Sequence, residues 1–399
     1  MSVTTTARWL FPVSSGPLES GTITVADGII ESVDPKGKYE PDVDLGNVAI
    51  IPGLGNAHTH LDLSGARGLI PPTTPERCVE WLEQVIAYRR NRTADEVEAD
   101  IRAGLAEAMR YGTTMIGDIS AGGASYEILA NAPILGTCCY EILGLSAARC
   151  DTAESAFVAW FRDGMTRGLI GKGVSPHAPY STARRLFRFA ERLGTPTLSA
   201  SHIAEFPAER ELLEKGTGPF VGFLDRLGIT ERGDLLGSPE EALPLSNWSG
   251  ESRMIVHGND LNPSAAALFR GFHTLAFCPR THAAFGHARH PIAEFLAAGV
   301  RVALGTDSLA SNPDLDPLAE ARFLYGHRPD LPADRILEMV TTNAAFALGV
   351  HSIAGSLTPN RRADLVVIPL PDAPGEPFHL LLGTGDHGER RTLFAGEWR

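Results

Sequence analysis

Two rhythms of apolar residues alternate through the middle of the chain: short, nearly continuous apolar runs, and longer stretches with apolar residues at helical spacing. The runs are "VAIIPGLGNAHTH", "TTMIGDIS", "PILGTCCYEIL", "IGKGVSPHAP", "PTLSASHIAE", "SRMIVHGND", "HTLAFCP" and "RVALGTDS". Between them, one long helix is predicted over roughly 76–111. Further helices are predicted at "AESAFVAWFRDGM", "ARRLFRFAERL", "AERELLEKG", "NPSAAALFRGF" and "IAEFLAAG". Strands that are apolar on both faces belong in a parallel sheet covered by helices, and eight of them predict a closed (β/α)8 barrel.

The chain ends follow a different pattern. "GTITVADGIIESVDP" reads as two strands around a tight turn at Asp27 and Gly28, and "GSLTPNRRADLVVIPL" and "RTLFAGEWR" have the same short-strand character. The expected fold is therefore a distorted (β/α)8 TIM barrel with a small β-sandwich formed by both termini. Residues 1–50 form the N-terminal part of the sandwich, 51–350 the catalytic barrel and 351–399 the C-terminal part. The irregular stretch from 229 to 251 reads as a surface loop between the fifth and sixth units.

Composition narrows the function. At 399 residues and 43% hydrophobic, the chain has ample length for a core, and its net charge of -13 opposes nucleic-acid binding. No segment is apolar enough to span a bilayer, so the expectation is a soluble cytoplasmic protein with no membrane partner. Cys78, Cys138, Cys139, Cys150 and Cys278 lack paired spacing and read as reduced, packed thiols.

In a barrel of this kind, chemistry gathers at the C-terminal strand ends. Those ends carry His58 and His60, Asp118, Glu141, His177, His202 with Glu205, His257, Cys278 with Arg280, and Asp307. A histidine at one such place is most simply structural, but this many together point to a site. Residues i and i+2 of a strand share a face, so His58 and His60 can reach one ion, with His202 and Asp307 completing its ligands. Imidazole with carboxylate suits zinc or ferrous iron. A doubly wound sheet would instead need a Gly-rich phosphate turn after the first strand, where this chain has "HTH".

From "DGIIESV" through "IPGLGNAHTHLDLSGARG", "SPHAPYS", "SHIAE", "VHGND", "CPRTH" and "GTDSLASN" to "ADLVVI", the chain resembles the amidohydrolase superfamily, in its chlorohydrolase and aminohydrolase branch. The resemblance implies a metal-dependent hydrolase with metal ligands His58, His60, His202 and Asp307. It implies Glu205 as proton shuttle, His257 as the residue that contacts water or substrate, and His177 as a substrate-facing residue. Asp307 would also accept the proton of the attacking water. Dinuclear members bridge their metals with a lysine at the end of the fourth strand. Lys172 lies toward that strand's start, so it reads as structural, and one divalent ion is expected, zinc before iron.

The expected activity is hydrolytic deamination of a small molecule, an aminated heterocycle such as a purine nucleoside derivative of the aminodeoxyfutalosine kind. The alternatives are cleavage of another non-peptide C–N bond, hydrolysis of a ring C–Cl bond, or a non-catalytic scaffold. Trp81 could stack on a flat ring. Nucleoside-processing relatives tend to carry a glutamate nine residues later, where this chain has Arg90, and their usual CPxSN reads "CPRTH" here. Arg67, Arg90 and Arg280 therefore suggest an anionic group on the substrate. His282, His287 and His290 read as a solvated loop, and analogy with relatives suggests a homodimer.

Overall fold

The computed structural model describes residues 2–163, 166–193, 198–232, 234–243, 252–383 and 388–399. The eight apolar runs form eight parallel barrel strands: β1 (Leu54–Thr59), β2 (Thr113–Ser120), β3 (Leu135–Ile142), β4 (Ile170–Pro176), β5 (Leu198–Ile203), β6 (Ser252–His257), β7 (His273–Phe277) and β8 (Val302–Leu304). They pair in chain order. A parallel bridge between Thr59 and Asp307 joins the ends of β1 and β8 and closes the ring. Every residue of β1, β2, β5 and β6 is buried, which is why these runs show no polar face. Helix Thr342–Ala347 packs Ala344, Ala345 and Ala347 against Ala57, Met115 and Ala200 across the N-terminal opening of the barrel.

The first apolar run divides in two. Val48–Pro52 pairs antiparallel with Leu365–Pro369 outside the barrel, and β1 begins at Leu54. Gly53 is the junction, where a Cβ would lie 2.0 Å from Thr114 Oγ1, closer than any side chain tolerates.

The terminal strands form two sheets. One contains Ser2–Thr6, Thr22–Ala26, Ile29–Asp34 and Val43–Asp44. The other combines Trp9–Leu10, Leu18–Glu19 and Val48–Pro52 with Leu365–Pro369, Arg391–Phe394 and Glu397–Trp398. Ile23, Ile30 and Ile50 share an apolar core with Leu365, Val367 and Leu393, so both chain ends contribute to it. Asp27 and Gly28 have φ of 48° and 76°, the geometry of a two-residue hairpin turn.

Three expectations need correction. The long helix over 76–111 is two helices, α1 (Cys78–Arg90) and α2 (Ala94–Arg110), because Thr93 and Glu96 form a capping box that starts a new helix. "NPSAAALFRGF" forms only a 3-10 turn, Pro263–Leu268, with Asn262 capping it. Within 229–251, Gly233 and 244–251 lie outside the described residues. The described part is not a surface loop, because Leu236, Ala242 and Leu243 are buried in the core beside β5. Gly164, Met165, Pro196 and Thr197, at the edges of a predicted helix and strand, also lie outside the described residues. All five cysteines are unpaired and buried. Among the described residues, no helix is long and apolar enough to cross a membrane.

Candidate active site

The C-terminal ends of β1, β5 and β8 converge on four side chains. His58 and His60 project to one side of β1, with ring centroids 4.9 Å apart. His202, on β5, brings its Nε2 within 3.2 Å of His60 Nε2. His58, His60 and His202 each offer a ring nitrogen, all within 4.8 Å of one another. Metal–nitrogen bonds of about 2.0–2.1 Å in a tetrahedral site separate the donor atoms by about 3.3 Å, which the His60–His202 spacing matches. Asp307 Oδ1 lies 3.6 Å from His58 Nε2 and 3.9 Å from His60 Nε2. That approach depends on Gly305, where a Cβ would sit 2.7 Å from the His58 Cβ.

The protonation states favour a cation. His58 is fully buried, and neither ring nitrogen has a hydrogen-bond partner among the described residues. His202 Nδ1 donates to the His177 carbonyl oxygen at 3.0 Å, which leaves the Nε2 lone pair free to face His60. Burial pushes the His60 and His202 imidazoles well below their ordinary pKa, so they are neutral near pH 7. Burial alone would raise the Asp307 carboxyl, but contacts with His58, His257 and Ser311 outweigh it and leave the group below its usual value. Neutral imidazoles converging beside one carboxylate fit a divalent ion.

Glu205 and His257 flank this cluster, with Glu205 Oε1 3.7 Å from His257 Nε2. Burial, reinforced by the carboxylate of Asp307, holds the Glu205 carboxyl well above the ordinary range. That direction favours the neutral acid, the form able to donate a proton. Glu205 does not cap the helix Pro207–Lys215; Glu209 in its first turn accepts from the Ala204 backbone N–H at 2.7 Å instead. Ala204, His257 and Asp307 hold φ of 52°, 67° and 60°, a strained conformation at the ends of β5, β6 and β8.

A sequence profile of the Amidohydrolase family matches residues 49–390. The chain belongs to the amidohydrolase family. A 5-methylthioadenosine/S-adenosylhomocysteine deaminase of Moorella thermoacetica is 28% identical over 384 residues, 90% of this chain and 83% of the relative. Helicobacter pylori aminofutalosine deaminase, solved with methylthio-coformycin, superposes with a TM-score of 0.84 at 21% identity over 100% of both chains. A Xanthomonas campestris adenosine deaminase with bound zinc superposes with a TM-score of 0.76 at 22% identity, over 99% of this chain and 92% of that one.

Beside the histidine cluster, the amidohydrolase barrel opens into a cavity of about 540 Å³. His177, Glu141 and Arg89 line one side, and Leu82, Val85, Leu145, Tyr180 and Phe223 supply an apolar wall. His177 Nδ1 is 2.6 Å from Ser181 Oγ, and its ring centroid is 5.0 Å from that of His202. Arg90 and Arg149 are exposed on the rim of this cavity.

The other predicted contacts lie elsewhere. Trp81 is not on the cavity wall; it is buried in the core, edge-on to Phe285 at 5.2 Å. Arg67 is exposed and paired with Glu107. Arg280 is half-buried between Asp314 and Glu320, at 2.6 Å from each, so its charge is compensated within the protein. The histidines of 282–290 do not form a solvated loop. His290 is buried and donates from Nε2 to the His257 carbonyl oxygen at 3.0 Å, and His282 stacks on His287.

Sequence reasoning missed Arg89. Its Nε donates to Asp62 Oδ2 at 2.8 Å, and its Nη1 lies 3.5 Å from Glu141 Oε2. Leu82, Val85, Ile86 and Arg89 recur at i, i+3, i+4 and i+7 of α1, so the spacing already placed Arg89 on the cavity face. Lys172 Nζ donates to the Trp160 carbonyl oxygen at 2.7 Å and lies over the Tyr126 and Trp160 rings.

Proposed function

We propose that this amidohydrolase is a metal-dependent deaminase that releases ammonia from an adenosine-like nucleoside. The observation that carries this reading is the buried carboxyl of Glu205, three residues after His202 and 3.7 Å from His257 Nε2, beside a compact group of metal-type ligands. It is supported by the deaminase relative from Moorella thermoacetica, which shares most of its length with this chain.

In this proposal His58, His60, His202 and Asp307 hold one divalent ion, zinc before iron. When bound, such an ion supplies an acidified water, its pKa lowered from about 15.7 to about 7. Asp307 takes the proton released as water attacks the amine-bearing carbon. Glu205 donates its proton to the adjacent ring nitrogen, regains one from the new C–OH as the adduct collapses to the carbonyl, and passes it to the departing amine; the proton held by Asp307 then restores Glu205, a contribution typically worth about 10²- to 10⁴-fold. His257 orients the attacking water, and His177 contacts the substrate on the cavity side. Arg90 and Arg149, with no carboxylate partner among the described residues, face an anionic end of the substrate.

Ammonia release by the zinc-loaded enzyme across a panel of 5′-substituted adenosines tests the reading. Turnover is expected for at least one of them, with Glu205→Gln lowering kcat by about 10²-fold or more while zinc content is unchanged. Silence on every ring amine, with hydrolysis of amides or ring halides, would overturn it.

A further inference from the structure

The cavity beside the histidine cluster contains a carboxylate whose chemistry is only half used. Glu141, at the end of β3, has a side chain only 4% exposed. Its Oε2 faces Arg89 Nη1 at 3.5 Å, whereas the buried Oε1 has no hydrogen-bond partner among the described residues. His177 Nε2 lies 3.8 Å from Oε1, beyond hydrogen-bond distance. A buried carboxylate oxygen without a donor costs free energy that a bound ligand can recover.

The surroundings define that ligand. Arg89 is held by Asp62 through Nε at 2.8 Å and Nη2 at 3.3 Å, so one guanidinium serves two carboxylates. Asp62 and Glu141 thus share one guanidinium, and the cluster presents a free acceptor to the cavity, which invites O–H donors. The neighbouring wall of Leu145, Tyr180 and Phe223 is apolar and suits the carbon face of a furanose ring.

Building on the deaminase reading, we propose that Glu141 Oε1 accepts a hydrogen bond from a hydroxyl of the substrate's sugar, making Glu141 a specificity-determining residue. Arg89 is a positioning residue that aims Glu141 at the cavity. The substrate then lies with its aminated ring at the histidine cluster, its sugar hydroxyls at Glu141, and its anionic end at the arginines of the rim.

The test compares 5′-deoxyadenosine with 2′,5′-dideoxyadenosine and 3′,5′-dideoxyadenosine on the zinc-loaded full chain. The parent's kcat/KM is expected to fall at least tenfold when one of the two hydroxyls is removed. Glu141→Leu should cut that preference to within about twofold, with zinc content unchanged, and Glu141→Gln, which keeps an acceptor oxygen, should retain part of it. A preference that survives intact in both variants, or is absent from the parent, overturns the proposal. A purely structural Glu141 would depress all three substrates equally. Calorimetric binding of inosine against 2′-deoxyinosine and 3′-deoxyinosine reads the same preference without turnover. A protein that deaminates nothing but keeps a Glu141-dependent hydroxyl preference would therefore refute the reaction and not this residue's role.

Discussion

The carbonyl oxygen of His177 accepts two hydrogen bonds from His202, one from its backbone N–H at 2.9 Å and one from its ring Nδ1 at 3.0 Å. The end of β4 therefore fixes both the position and the tautomer of a proposed metal ligand on β5, using main chain alone. The side chain of His177 remains free to face the cavity.

That division of labour is testable. In His177→Ala the carbonyl remains, so one equivalent of metal should be retained by elemental analysis. Loss of the ring should raise KM for the nucleoside about 5- to 30-fold, the equivalent of about 1–2 kcal/mol. Loss of metal from this variant would mean that the imidazole itself belongs to the metal centre.

Chelation should both inactivate and destabilise the protein. A ligand that binds only the native state stabilises it by about 4 kcal/mol at a thousandfold excess over Kd, so the unfolding midpoint should drop with chelator and recover with one equivalent of zinc. His58→Ala and His202→Ala should weaken metal binding by more than the roughly 10- to 100-fold typical of outer-shell changes. Two equivalents per chain, with Lys172 modified, would contradict a single ion; Lys172 Nζ instead donates to the carbonyl oxygens of Trp160 and Asp163.

Arg280 supports the segment that follows Asp307. Glu320 is fully buried and receives both the backbone N–H and the Nε–H of Arg280, and it also accepts from Asn312, whose Nδ2 reaches the Thr306 carbonyl oxygen. Arg280→Met removes the charge that offsets Glu320 and should cost about 3–5 kcal/mol in denaturant unfolding. An unchanged midpoint with a raised KM would return Arg280 to the substrate.

The barrel was legible because strands buried on both faces leave uninterrupted apolar runs, and the ligand strands end in His or Asp wherever the chain reaches the mouth. Thr93 and Glu96 carried a readable start signal inside what looked like one helix, since the capping box needs only their spacing. Arg89 and Arg90 show a finer limit. Adjacent helical residues point about 100° apart, so only the 82–85–86–89 spacing separates the cavity-facing arginine from its exposed neighbour. The partners of Arg280 lie 34 and 40 residues away in sequence, and no local pattern announces a half-buried charge satisfied across the fold. Trp81 was ambiguous for the same reason: whether an aromatic on an amphipathic helix meets ligand or core depends on Phe285, which tertiary packing brings alongside.

Glu209 gives stability a pH dependence with a defined sign. Burial, with Asp260 and Glu240 adding negative charge, raises its pKa from 4.5 to about 8 against the opposing Ala204 N–H and Arg210. The unfolded chain releases this proton near pH 4.5 and the native protein only near 8. The associated stability is therefore complete below about 4.5, declines by at most about 1.4 kcal/mol per pH unit, and is lost above 8. Buried histidines act in the opposite direction at lower pH: His273 and His290 are depressed to about 3, so their penalty appears only as pH falls below 6.5. The window from pH 6.5 to 8 thus separates the carboxyls from the histidines. Across it, Glu209→Gln, which keeps the acceptor for the Ala204 N–H, should lose about 1–2 kcal/mol less stability than the parent in guanidinium unfolding. Asp118, raised to about 7 chiefly by burial, should leave a smaller residual slope in the variant. Parallel curves for parent and variant would show that Glu209 is already ionised in the native protein at neutral pH.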